Sequence, residues 1–206
     1  MENIFEKIYV WTEWVMYLFL LQIFWLGGTI IGGIIFGVVP ASIALLSSIR
    51  KLHREPQELN LVSYFIKEYR LNFKISLVLT FWYFIAISLG FVYLQFIRAT
   101  TDTWLAYTHI LLYVILFLVF LLFLYLIPVY VHYEISLKNL LPTTGAIMVT
   151  GMKWNLPLLL SLTAISLIFI RFSIVFFFFG GSSSAFVVSY FTKRAFNDFD
   201  LKREYT

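Results

Sequence analysis

The sequence predicts an all-α protein, a polytopic transmembrane helical bundle with five or six membrane segments and an amphipathic cytoplasmic helix. Three observations carry this. The 206 residues are 61% hydrophobic and 13% charged, where soluble domains are about 45–50% apolar and about 25% charged. Mean hydropathy is +0.89. Long apolar runs alternate with short basic segments, as expected of helices that satisfy their own backbone in lipid and of loops that set orientation. Aromatic residues reach 20%, which suits lipid-facing surfaces and interfacial belts.

Net charge is +4. The basic residues lie between apolar runs, so they read as an orientation signal; membrane lipid is the expected partner and nucleic acid is not. The chain has no cysteine, which excludes disulfides, thiolate catalysis and Cys-ligated zinc. The start, Met1 to Lys7, is acidic before the apolar run and has no small-residue cleavage site, so it is not expected to be a secretory signal.

The whole chain reads as one transmembrane domain, with segments at 11–28, 31–49, 75–97, 107–131, 154–170 and 174–192. No charge falls between Glu13 and Arg50. As one straight helix residues 11–49 would be about 58 Å long at about 1.5 Å per residue, against a hydrocarbon core about 30 Å thick. The stretch must therefore break, lie partly on the surface or cross twice. Gly27-Gly28 and Gly32-Gly33 are the cheapest places to break, and Pro40 suits the first turn of a new helix.

Residues 50–74 hold Arg50, Lys51, Arg54, Lys67, Arg70 and Lys74 against Glu55, Glu58 and Glu68. From Leu61, the apolar Val62, Phe65, Tyr69 and Phe73 recur at helical spacing, with Lys67, Arg70 and Lys74 largely elsewhere on the wheel. An amphipathic interfacial helix over 58–73 follows, feeding the span at 75–97. A short polar connection with Arg98 and Asp102 leads to the span at 107–131. Residues 134–153, with Pro142 and Gly145, read as a short helix bounded by turns. Arg171 separates the last two spans, and Ser182-Ser183-Ser184 reads as a polar turn or helix start. The tail from Lys193 is polar.

Segments 50–74 and 193–206 carry ten of the 15 basic residues and 134–153 two more. These belong in the cytoplasm, with the C-terminus, and 98–106 outside. The expected location is the plasma membrane of a bacterium. Parity then demands four crossings after Lys74. The first stretch is open on charge: one crossing gives five segments, two give six. Phe36–Lys51 can be laid on Phe179–Arg194, both beginning Phe-Gly, passing through small residues and ending in a basic pair. This favours a second hairpin, hence six.

Candidate sites follow from the exceptions to the apolar pattern. Gly28, Gly32, Gly33, Gly37, Pro40 and Ala41 form a structural joint. Gly28/Gly32 and Gly33/Gly37 have the Gly-x-x-x-Gly spacing that lets membrane helices approach closely, so packing is favoured over an unwound binding site. Arg171 is a deep charge, hence a functional candidate. About 17 residues after Trp154 it also reaches the outer interface, about 26 Å away, where it can snorkel. His132 and Glu134 lie two apart at a helix end with His53 remote, and no spacing supports a metal site. Arg50, Lys51, Arg54, Lys67, Arg70 and Lys74 are candidate contacts for lipid or a cytoplasmic partner. No Asp or Glu after Glu13 lies within a span, and neither a phosphate loop nor a Gly-x-Ser-x-Gly nucleophile occurs,. No cofactor and no catalytic residue is indicated.

Four stretches resemble the YesL-like bacterial membrane proteins, a family of unknown function. The first is Phe36-Gly37-Val38-Val39-Pro40-Ala41-Ser42 running into Arg50-Lys51, with Val39 where the family carries a second Gly. The second is Phe65-Ile66-Lys67-Glu68-Tyr69-Arg70-Leu71-Asn72-Phe73-Lys74. The third is Pro128-Val129-Tyr130-Val131-His132-Tyr133-Glu134. The C-terminal hairpin is similar in pattern but has Arg171-Phe172-Ser173 in place of a Pro-Gly turn. Such proteins are often encoded beside carbohydrate transporters and glycan-degrading enzymes. The resemblance implies a non-enzymatic accessory component of a membrane system, with carbohydrate uptake as the system and transporter subunits or a second copy of the chain as partners. It supplies no catalytic or binding residues. A small-solute transporter or channel, using a polar path between helices near the Gly-rich break, Gln22 and Gln95, is the alternative. A membrane enzyme built on clustered His53, His132 and Glu134 is the third.

Overall fold

The structure, a computed structural model, describes residues 2–54, 60–99 and 103–204; for 2–7, 96–99, 103–109, 111–112 and 204 it describes the backbone alone. Among the described residues there are seven helices and no strand: α1 (Glu2–Ile31), α2 (Ile35–Arg54), α3 (Leu61–Ala99), α4 (Thr103–Tyr133), α5 (Leu137–Thr150), α6 (Met152–Arg171) and α7 (Ser173–Glu204). All but α5 are long and apolar enough to cross a membrane.

The stretch at 11–49, uncharged after Glu13, folds back on itself, so that among the described residues six helices, not five, are long and apolar enough to cross a membrane. Its turn is Gly32–Ile34. Gly33 has φ +76° and Ile34 φ +63°, and Ile34 N–H donates back to Thr29 O at 2.8 Å. Glycine adopts this left-handed conformation freely; a β-branched residue there costs about 1–2 kcal/mol. The two arms run antiparallel. Trp25 Nε1 donates to Ser42 Oγ at 3.1 Å, and nearer the open end the Trp14 and His53 rings lie 4.6 Å apart, tilted by 55°. At the turn a Cβ on Gly32 would lie 2.3 Å from Gly37 Cα, and one on Gly37 2.3 Å from Thr29 O. Gly32 and Gly37 thus lie in close approach, whereas nothing lies within 4 Å of a Cβ on Gly33. The break is at Gly32-Gly33 alone, and Gly27-Gly28 stays inside α1. Pro40 does not open a helix. It is the sixth residue of α2 and buried.

The surface helix expected at 58–73 and the span at 75–97 are one rod, α3, of 39 residues; positions 58 and 59 lie outside the described residues. Neither Gly nor Pro occurs between Leu61 and Leu89. Asn72, the residue most able to interrupt, turns its amide back onto Glu68 O at 2.9 Å. Leu61 and Phe65 are buried while Lys67, Arg70 and Lys74 are exposed, as the pattern predicts; Val62 is exposed against it. The span expected at 107–131 begins at Thr103 and ends at Tyr133.

Pro142 and Gly145 sit within α5 rather than bounding it. A single residue, Phe172, joins α6 to α7. The last span does not stop at 192, because the polar tail continues α7 to Glu204. Ser182, Ser183 and Ser184 form neither turn nor helix start. They lie inside α7, and Ser183 and Ser184 return their hydroxyls to Phe179 O and Gly180 O at 2.6 and 2.7 Å, so the polar run costs the helix little in an apolar setting.

Two cores hold the bundle. Leu21, Ala44, Leu45, Ile49, Leu61 and Phe65 join α1, α2 and α3. Ile43, Leu79, Tyr125, Leu126, Leu158 and Val188 belong to the larger one, which draws on α2 through α7. α2 contributes to both and is the most buried of the apolar helices.

Candidate functional site

Four tethers bring the basic segments to one end of the bundle. The Arg50 guanidinium on α2 donates to Val131 O on α4. Tyr130 OH donates to Asn72 Oδ1 on α3 at 2.8 Å. Tyr133 OH donates to Asp200 Oδ1 on α7 at 2.9 Å. Asp198 pairs with Lys153 at 3.0 Å and accepts from Trp154 Nε1 at 2.8 Å. The stretches 50–74, 130–154 and 193–200 thus meet.

Two clefts open there, on either side of Arg50. The first, about 680 Å³, lies between α2, α3 and the end of α4. Its charged lining is mixed: Arg50, Lys51 and Arg54 against Glu68 and Glu134, with Asn72 and Tyr130 between them. Glu134 is held at φ +51° as the residue that ends α4, its N–H bonded to Tyr130 O at 3.1 Å. Gly or Asn commonly takes that left-handed position. Here a carboxylate is placed on the cleft wall instead.

The second cleft, about 320 Å³, lies between α2, α4 and α7. Arg50, His53, Arg54, His132, Lys193 and Arg194 line it, and among the described residues no carboxylate does. Its inner wall is apolar, from Leu46, Pro128, Val131, Phe186 and Phe196. The Arg194 guanidinium lies 4.7 Å from the Trp154 ring and 4.5 Å from the Tyr190 ring, which fixes its direction without neutralising it.

The residues singled out by sequence divide accordingly. Arg50, Lys51 and Arg54 line one or both clefts. Lys67, Arg70 and Lys74 stand exposed on α3 and line neither. His53 and His132 share the basic cleft, but Glu134 faces the mixed one. Among the described residues no three His, Cys, Asp or Glu stand close enough to hold a metal ion. Arg171 is exposed at the end of α6. Gly28, Gly32, Gly33, Gly37, Pro40 and Ala41 form the α1–α2 joint, with Tyr69 of α3 on top, its hydroxyl donating to Gly28 O at 2.9 Å. Neither Gln22 nor Gln95 reaches a cleft. Gln22 is buried between α1 and α7, and Gln95 is exposed.

Lys193 and Arg194 belong to the site although sequence reasoning assigned them only to orientation. The signal was present. The internal similarity lays Lys193-Arg194 on Arg50-Lys51, and Arg50, Lys193 and Arg194 converge on one cleft.

Residues 18–96 match a family described as a protein of unknown function, DUF624. The match covers the α1–α2 joint and most of α3. No curated protein and no solved structure matches the chain.

Proposed function

We propose that this chain is a non-catalytic accessory component of a bacterial plasma-membrane system, with its C-terminus in the cytoplasm and its working face at the basic end of the bundle. The observation that carries this is the mixed-charge cleft. Arg50, Lys51, Arg54, Glu68 and Glu134 share one open wall there, with Glu134 kept in a backbone conformation that disfavours it. Residues held in such conformations cluster at functional sites. A wall carrying both signs of charge suits a polar partner surface, where complementary charges set register and exclude wrong partners. The similarity to DUF624 over 18–96 is to a family of unknown function; it is the YesL-like resemblance that points to carbohydrate uptake as the system served. A transporter in its own right would use a polar path between the helices, and the amide best placed to begin one, Gln22, is spent on the backbone of α7.

The test is co-purification after mild detergent extraction, with sugar uptake measured in a deletion strain. Recovery of carbohydrate-transporter subunits with the wild type, their loss with Glu134→Lys, and reduced uptake on deletion are expected. Recovery of this chain alone, with uptake unchanged, overturns the proposal.

A further inference from the structure

We infer that the cleft between α2, α4 and α7 is a binding site for a phosphate group. Four basic side chains, Arg50, Arg54, Lys193 and Arg194, line one cleft of about 320 Å³ together with two histidines, and among the described residues no carboxylate shares the lining. Among the described residues none of these four forms an ion pair. Like charges gathered in one cleft repel one another, so their convergence disfavours the empty bundle and favours a bound anion. Orientation in the membrane does not require convergence. It needs only basic residues near the ends of the spans, a condition that Lys67, Arg70 and Lys74 meet while standing apart on α3.

The donors suit phosphate in kind. Arginine forks match its oxygens and lysine adds a point charge, while Ser189 and Asn197 add neutral polar groups on the lining. Arg50 is held by its bond to Val131 O and Arg194 by the Trp154 and Tyr190 rings. The apolar wall of Leu46, Pro128, Val131, Phe186 and Phe196 lies within the same cleft, so a phosphate carried on an apolar body is accommodated as readily as a free one. Basic pockets between membrane helices hold anionic headgroups in this manner. The cleft shares Arg50, Arg54 and Val131 with the mixed-charge one, whereas Lys193 and Arg194 belong to it alone. The inference therefore does not rest on the accessory role proposed above.

The full chain, in phosphatidylcholine nanodiscs, is titrated with inorganic phosphate while its thermal midpoint is followed. In parallel, native mass spectrometry compares retained phosphatidylglycerol with phosphatidylcholine. Wild type is expected to be stabilised by phosphate, to retain phosphatidylglycerol selectively, or both; the first result assigns a soluble source and the second a lipid one. The double variant Lys193→Gln/Arg194→Gln should weaken the effect about ten-fold, as loss of charge-assisted bonds implies. The control Lys67→Gln/Arg70→Gln removes the same charge from exposed α3 positions and should change it less than about two-fold if the effect is local. Lys193→Gln alone, at an exposed position, serves if the double variant does not fold. Equal losses in both double variants, or no effect of either phosphate source on wild type, overturn the inference.

Discussion

The side-chain amide of Gln22 on α1 bridges the backbone of α7, accepting from Ser182 N–H at 2.9 Å and donating to Phe177 O at 3.2 Å. Gln22 is 2% exposed. Gly181 makes the approach feasible, since a Cβ there would lie 3.0 Å from the Trp25 ring and 3.2 Å from Gln22 Oε1. This contact ties the first hairpin to the last helix in an apolar setting. Gln22→Met keeps the length and removes both bonds. It should destabilise the bundle by about 1–2 kcal/mol, the upper range for a hydrogen-bonding side chain between membrane helices. Denaturation in graded SDS reads this, and an unshifted midpoint would show the amide to be idle.

Two glycines of the first hairpin should respond with opposite signs. Nothing lies within 4 Å of a Cβ placed on Gly27, whereas one on Gly37 would meet Thr29 O at 2.3 Å and Thr29 Cα at 2.8 Å. Gly27→Ala therefore gains helix propensity, up to about 1 kcal/mol. Gly37→Ala forces α1 and α2 apart at a cost of about 1–3 kcal/mol or more. Thermal midpoints of the two variants in one detergent make the comparison; a shift of the same sign in both would contradict the packing described.

Ile34 holds φ +63° and is exposed. Ile34→Gly removes the left-handed penalty without emptying a core position, so it should stabilise the turn by about 1 kcal/mol, less the flexibility that glycine adds to the unfolded chain. A rise in thermal midpoint checks it. A fall would mean that the Ile34 side chain contributes more than its backbone conformation costs.

The absence of native cysteine allows sidedness to be read from single replacements at two exposed positions. Arg171→Cys, at the α6–α7 turn, should react with a membrane-impermeant maleimide on intact cells. Lys202→Cys, near the end of α7, should react only after permeabilisation. The reverse labelling would invert the proposed orientation.

Much of the architecture was legible because bilayer thickness sets helix length. The 11–49 run is too long to cross once and straight, and Gly32-Gly33 was one of two pairs able to break it. Which pair breaks it was not legible. Glycine marks where a chain can turn, and the choice depends on Gly37 and Tyr69 arriving from elsewhere. The serines at 182–184 looked like a turn because their polarity was set against the apolar run, while helix carbonyls one turn back absorb it. The continuity of α3 was hidden by its charges, which expose one face of a helix without ending it. The basic cleft was half legible: two similar basic pairs stood in the sequence, but their meeting is a tertiary event.

The three-residue turn between α1 and α2 bears on how the chain enters a bilayer. From Trp14 to Ile49 there is no charged residue, and the turn at Gly32–Ile34 offers no hydrophilic loop to translocate. A charge at the bilayer centre costs about 2.5–3.5 kcal/mol on insertion scales. The first hairpin can partition as a preformed unit with no such toll. In the proposed orientation, the last hairpin must carry Arg171 through to its far side. The two ends of the same protein thus face different insertion barriers, and the second is the one that should depend more on the insertion machinery.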